Sequence, residues 1–380
     1  MIVAYFPSFP FRGHTAPYLW IFYKLLTTYG DRIHFLTDES YRNDLETWRK
    51  HERWELLDDS QKRQGYRLPT LTELEAMNFT SFSSNFFVRK LAEHNGNPTQ
   101  AFYDYLSYVD TSLEEDFYNS ILSIGEVEVV LNWCNCPSLS AACARLNIPV
   151  MNMELGPLRH PEYQSTGYLD FSGVNGNTEA AARYAAVAEE CRFDLTLKDL
   201  RGFFAASPPP MLTKEYESGI VLQVENDSNL IAYANGFNNQ VLLDYALLNC
   251  SRNFIVRSHP GSAFRINESL FDVDHSPTSI DFIARCEKII TINSSVGLEA
   301  LLMGVPVVAF GDSSFRFVLK TEDEKERVNR LAFYLFAYLV PYPLIFDLDY
   351  IRFRLTSPSE QEIVKKHLQF YESAGNTNER

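Results

Sequence analysis

Ile289-Ile290-Thr291-Ile292-Asn293-Ser294-Ser295-Val296-Gly297-Leu298-Glu299-Ala300-Leu301-Leu302-Met303-Gly304-Val305-Pro306-Val307-Val308 is the stretch that decides the fold. It starts as a β-branched run, the composition of a buried strand. Asn293 or Ser294 then caps a helix by accepting a backbone N–H. A helix over 295–303 follows, Gly304 and Pro306 stop it, and a strand resumes over 305–310. Strand, helix and strand joined by short turns make the repeating unit of a parallel sheet. The first turn does more than connect. Free N–H groups and the positive dipole end at a helix start form an anion site. The hydroxyls of Ser294 and Ser295 add donors, and Gly297 lets a ligand approach the first turn. Glu299, one turn in, can accept hydrogen bonds from ribose hydroxyls. An ordinary capped helix carries the same cap residues, so this stretch alone leaves binding and scaffolding open.

Outward from it, the same alternation fills the chain. Towards the N-terminus, strands are expected at 219–224, 253–258 and 288–293, with helices at 239–249 and 278–285. A first set has strands at 2–6, 32–37, 128–132 and 149–155 and helices at 15–28 and 138–146. Between the sets stands Ser207-Pro208-Pro209-Pro210, the strongest breaker in the chain, because consecutive prolines cannot sit inside a helix and favour extended backbone. The expected class is therefore α/β, with two Rossmann-like domains facing a central cleft. The first spans 1–205 with a helical insertion at about 40–120, the second 206–345, and a helical segment with a tail covers 346–380. Open parallel sheets bind ligands beyond the carboxyl ends of their strands.

Composition narrows the function. The 380 residues carry 34 Lys and Arg against 49 Asp and Glu, a net charge of −15, which disfavours nucleic acid as a partner. The start, Met1 to Phe6, lacks the basic and long apolar regions of a signal peptide. The most apolar run, 331–345, holds Pro341 and Pro343 and reads as a buried helix that ends at them. A cytoplasmic protein is expected, at most peripheral to the inner face of the membrane. Cys134-Asn135-Cys136 has no second cysteine pair to complete a four-ligand zinc site, so no metal is expected.

Four further strings end strands. Val256-Arg257-Ser258-His259-Pro260-Gly261 puts His259 at a sheet edge, where an imidazole can hydrogen-bond a phosphate or a leaving oxygen, beside the fixed charge of Arg257. A turn histidine satisfied by backbone has the same pattern. Gln223-Val224-Glu225-Asn226-Asp227-Ser228-Asn229 clusters acids and amides, and a carboxylate there serves as nucleophile or base. It is equally what a solvated turn with an Asx cap for the next helix looks like. Met153-Glu154-Leu155-Gly156-Pro157-Leu158-Arg159 brings Glu154 and Arg159 to a strand end of the first set, in a cleft or in a salt bridge. Phe11-Arg12-Gly13-His14-Thr15 follows the first strand and is the weakest of the four.

Taken together, the strings Arg257 to Gly261, Ile292 to Gly311, Gln223 to Asn229 and Met153 to Arg159 resemble the retaining β-Kdo transferases of capsule linkers and O-antigen chain ends. The resemblance rests on specific strings from about 151 to 311 and on the general pattern before 127. It implies a GT-B-like layout, without a metal or other cofactor. The implied donor is CMP-Kdo, the implied product CMP, and the implied acceptor a saccharide, lipid-linked acceptors included. It further implies double displacement, with Asp227 as the nucleophile. Asn226 departs from the family pattern, which has an acid there. Within that frame His259 meets the phosphate with Ser294 and Ser295, and Glu299 binds the ribose. Glu154 is the acid/base or acceptor-positioning residue, and Arg159 or Arg257 pairs with the Kdo carboxylate. Gln223 and Asn229 complete the donor site. Two other readings stand beside this one: another nucleotide-sugar enzyme, sialyltransferase-like or an epimerase, and a saccharide- or nucleotide-binding module without catalysis.

Overall fold

The computed structural model describes residues 1–8, 18–43, 67–251 and 253–377. The Phe11 to Thr15 string lies outside the described residues. Two compact units divide the chain: Met1–Glu154 with Leu169–Gly173, and Leu155–Tyr168 with Val174–Arg380. The division at 154/155 and 173/174 differs from the expected boundary at 205/206.

The first unit is a parallel sheet in the order β5-β4-β1-β2-β3, formed by β1 (Ile2–Phe6), β2 (Ile33–Thr37), β3 (Asn78–Ser81), β4 (Val129–Trp133) and β5 (Val150–Leu155). Ile2 faces Ile33 on one side and Val129 on the other. Every residue of β1 and β4 is buried, as strands covered on both faces require. Its helices are α1 (Leu19–Tyr29), α2 (Ser40–Asn43), α3 (Leu71–Ala76), α4 (Phe86–Glu93), α5 (Pro98–Ser107), α6 (Thr111–Ile124) and α7 (Pro137–Arg145). Three begin on side-chain caps, Thr70, Asn97 and Asp110.

The second unit repeats the design. Its sheet has the order β11-β10-β7-β8-β9, all parallel, from β7 (Ser218–Val221), β8 (Phe254–Arg257), β9 (Asp272–Val273), β10 (Ile289–Thr291) and β11 (Val307–Ala309). Its helices are α8 (Ala180–Val187), α9 (Leu197–Phe204), α10 (Ser228–Tyr233), α11 (Asn239–Asn249), α12 (Ser279–Ala284), α13 (Ser295–Met303), α14 (Glu324–Phe333), α15 (Leu348–Leu355) and α16 (Glu360–Thr377). The strand β6 (Thr166–Asp170) straddles the division, and its residues Thr166 and Gly167 pair antiparallel with β12 (Val340–Pro341). Buried from Gly297 to Met303, α13 is apolar on every side but for Glu299 and sits inside the unit. It stops where Gly304 takes φ +77°, a left-handed cap that glycine adopts without strain. Gly219 on β7 leaves no room for a side chain, since a Cβ would lie 2.6 Å from Cys286 Sγ and 2.7 Å from Phe282. That absence lets α12 close directly on the strand.

The boundary shifts because 155–205 shares its core with this unit. Leu158, Tyr184, Leu200 and Phe204 pack in one cluster with Leu298, Leu301, Phe317, Phe333 and Leu335. The C-terminal segment belongs there too. Glu360 forms a two-bond ion pair with Arg183 at 2.7 and 2.8 Å, and His367 is buried against the Phe336 carbonyl. Residues 331–345 are buried as expected apart from the exposed Pro343, though the helix gives way to a wider turn over Tyr334–Tyr338 before the prolines. No helix among the described residues is long and apolar enough to cross a membrane.

Candidate functional site

Chain order in the second sheet reverses between β7 and β10. Such a switch point opens a crevice beyond the carboxyl ends of the two strands, and three amide side chains form its floor. Gln223, after β7, donates from Nε2 to Asn293 Oδ1 at 2.8 Å and accepts the Asn293 N–H at 3.1 Å. Asn239 pairs with the backbone of Gln223 in both directions, at 2.7 and 3.0 Å. Asn293 Nδ2 reaches the carbonyls of Asn229, Tyr233 and Asp312 at 3.0–3.2 Å. These buried amides fix the loops after β7, β10 and β11 at once, and removing one strands its partners.

Over this lattice lies a cavity of about 330 Å³, lined wholly by residues of the second unit. Asp227 is at once a helix cap and a cavity residue. Its Oδ1 accepts the Asn229 N–H and Nδ2, both at 2.9 Å, and no donor among the described residues reaches Oδ2. Ser294 caps α13 by accepting the Val296 N–H, and Ser295 lines the cavity at the first turn. His259 Nδ1 accepts the Gly261 N–H at 3.0 Å. That assigns the proton of the neutral ring to Nε2, which has no protein partner among the described residues. The histidine loop is held by Glu225, which accepts from Ser262 Oγ at 2.6 Å. Burial alone would raise the Glu225 pKa, but the Ser262 hydroxyl and the loop N–H groups hold it below the usual carboxylate range.

Glu299 is the unusual carboxyl. It is 8 % exposed, and burial pushes its pKa up to about 7, with Glu162 adding to the rise and the Ser279 hydroxyl opposing it. Ser279 Oγ donates to Oε2 at 2.6 Å, and the Tyr163 hydroxyl bonds the same carboxyl, its own pKa raised first by burial and then by Glu299. A carboxyl that is part protonated near neutrality both donates and accepts. Arg159 is the one permanent cation among the described lining residues. Its Nε donates to the Gly156 carbonyl at 3.0 Å.

Residues 4–179 match the family model of the glycosyltransferase 99 family N-terminal domain. Residues 214–332 match that of the capsule polysaccharide biosynthesis protein, and this second match contains Gln223, Asp227, His259, Ser294 and Glu299. The chain is a glycosyltransferase of the capsule polysaccharide biosynthesis kind. Among solved structures, the β-Kdo 2,7 transferase of Thermosulfurimonas dismutans KpsC is 14% identical, with 81% of this chain and 92% of that chain covered and a TM-score of 0.43. The β-Kdo 2,4 transferase of the same protein is 15% identical over 54% and 79%, at 0.39. The UDP-GlcNAc 2-epimerase of Methanocaldococcus jannaschii is 13% identical over 87% and 91%, at 0.31. No curated protein sequence matches the chain.

The transferase brings together Asp227, His259, Ser294, Ser295, Glu299, Arg159, Gln223 and Asn229, all on one cavity. Two of these have other work than expected. The Gln223 amide is spent on Asn293, and the Asn229 amide on Asp227, so both position neighbours. Two expected residues are absent from the cavity lining. Arg257 turns to Asp274, with a further bond to the Ser276 carbonyl at 3.1 Å. Asp274 also holds Arg285 at 3.1 Å, so Arg257 is a structural ion. Glu154 sits half-buried on β5 in the first unit. Sequence reasoning missed Glu162, Tyr163, Ser279 and Ser313. Ser313 follows β11, and the strand-end rule that found the other loops finds this one as well. Glu162 stands in an irregular segment with no spacing to mark it.

Proposed function

We propose that this transferase moves Kdo from CMP-Kdo to a saccharide acceptor with retention. The observation that carries the reading is Asp227, one carboxylate oxygen of which is held by Asn229 while the other has no partner among the described residues, in the same cavity as the α13 N-terminus. In this reading the phosphate of CMP-Kdo lies at Ser294 and Ser295, where N–H groups and the helix dipole receive it. Glu299 takes the ribose and Arg159 the Kdo carboxylate. Asp227 Oδ2 attacks the anomeric carbon, that carbon's bond to the phosphate oxygen breaks, and CMP leaves with the electron pair while the His259 Nε2–H hydrogen-bonds its oxygen. The acceptor hydroxyl then attacks the same carbon, the bond to Asp227 breaks, and the proton goes to Glu162, which has no side-chain partner among the described residues. Two inversions restore the starting configuration, as in two-carboxylate glycosidases.

The test is donor choice with product stereochemistry. CMP release is measured from CMP-Kdo, CMP-sialic acid and UDP-GlcNAc with a saccharide acceptor, and the product's anomeric configuration is read by NMR. The reading expects release from CMP-Kdo alone and a retained linkage. Preference for another donor, or an inverted product, contradicts it.

A further inference from the structure

We infer that the Ser313 hydroxyl is a further contact for the donor phosphate, a role that rests on the nucleotide-sugar reading above. Ser313 lines the cavity and is 8 % exposed. Its Oγ is out of reach of solvent and has no hydrogen-bond partner among the described residues, which is uncommon for a buried hydroxyl and calls for a reason. Its neighbour sharpens the contrast. Ser314 Oγ is fully engaged, with the Tyr334 hydroxyl at 2.7 Å and the Tyr168 hydroxyl at 3.0 Å.

The backbone places Ser313 beside the helix start. Gly311 N–H donates to the Ile292 carbonyl at 2.8 Å, and Asn293 Nδ2 donates to the Asp312 carbonyl at 3.1 Å. The two loops therefore run side by side in step, and the next residue on each is a serine, Ser294 on one and Ser313 on the other. The Arg316 N–H closes a turn on the Ser313 carbonyl at 3.0 Å, and Asp312 Oδ2 accepts the Asn177 N–H at 3.0 Å. The position is rigid while the hydroxyl is uncommitted. Serine has three staggered χ1 wells, and no bond from a described residue holds this one, so it turns towards an anion at the α13 N-terminus without breaking anything. A hydroxyl left unpartnered by the fold and satisfied by the ligand is a stability cost recovered on binding.

The experiment is calorimetric titration of wild type and Ser313→Ala with CMP and with cytidine, with Tm measured for both proteins. Loss of one charge-assisted bond predicts CMP affinity about tenfold weaker in the variant, cytidine affinity unchanged and Tm equal or higher. Ser314→Ala, which breaks a satisfied cluster, is expected to lower Tm. Unchanged CMP affinity in Ser313→Ala overturns the inference, as does equal weakening of CMP and cytidine. A fall in Tm assigns the hydroxyl to scaffolding and also overturns it. Wild type is titrated with UMP and GMP as well. If it prefers one of those, the donor reading fails, and Ser313 is judged on that nucleotide against its nucleoside. If no nucleotide binds, both fail.

Discussion

The two sheets reverse their strand order in the same way, between β1 and β4 in the first unit and between β7 and β10 in the second. What lies beyond the strands differs. In the second unit, short polar side chains bond one another across loops and leave a cavity with carboxylates, hydroxyls and one imidazole. In the first, the described residues beyond β1 and β3 are packed with rings. Phe82 stacks on Phe117 with centroids 4.4 Å apart, Tyr5 meets Phe117 edge-on at 4.9 Å, and the Tyr5 and Tyr105 hydroxyls bond at 3.1 Å. After β4 the chain turns through buried Cys134 at φ +77°, and Asn132 Nδ2 reaches the Cys134 carbonyl at 3.0 Å. Topology offers a crevice at both places; among the described residues of the first unit the rings leave a smaller space of about 150 Å³, lined by Tyr5, Phe82 and Tyr105 among others, and the residues placed at each crevice set its chemistry.

Phe117→Ala tests the packing side of that contrast. Deleting a fully buried ring should cost about 3–5 kcal/mol, read by denaturant unfolding, with CMP affinity of the folded protein unchanged. Weakened affinity at full stability would break the contrast. Glu299→Gln tests the polar side. A carboxyl whose pKa is raised from 4.5 to about 7 on folding holds its proton more tightly in the folded state. Its contribution is full below pH 4.5 and is lost as pH rises to about 7. The glutamine variant should therefore be more stable than wild type at pH 8, by up to about 3 kcal/mol. The difference in Tm should shrink towards pH 5, and a difference independent of pH would contradict the assignment.

The two arginines sharpen it further. Arg257→Ala leaves Asp274 buried with Arg285 as its remaining cation, and should cost about 2 kcal/mol of stability. Arg159→Ala, at an exposed position, should move stability by less than about 0.5 kcal/mol. It should instead weaken CMP-Kdo more than CMP in titration, about tenfold more if it meets the sugar carboxylate. The reverse pattern would exchange their roles.

Helices with clear caps were legible to the residue. The range 239–249 follows the Asn238 cap and 295–303 the Ser294 cap, and both are observed unchanged. The strands β3, β6, β9 and β12 escape the sequence: β3 lies inside the stretch 40–120 expected to be helical, and the other three are two to five residues around Gly, Asp or Pro that carry no alternation. Side-chain roles were legible only by type. Asp227 was readable as nucleophile or as Asx cap, and cap geometry and cavity lining coincide in it because each carboxylate oxygen has its own surroundings. Arg257 misled because its partner, Asp274, lies 17 residues on, in a two-residue strand without a sequence signal. The expected boundary followed the prolines at 208–210, whereas apolar burial by Leu200 and Phe204 carries the second unit back across them.

The most direct test of the central claim is the intact mass of the protein after incubation with CMP-Kdo alone, for wild type and Asp227→Ala. The account predicts a gain of one Kdo unit on wild type and none on the variant, which still binds CMP. Consumption of CMP-Kdo by wild type with no adduct, or an adduct that persists in Asp227→Ala, would contradict it.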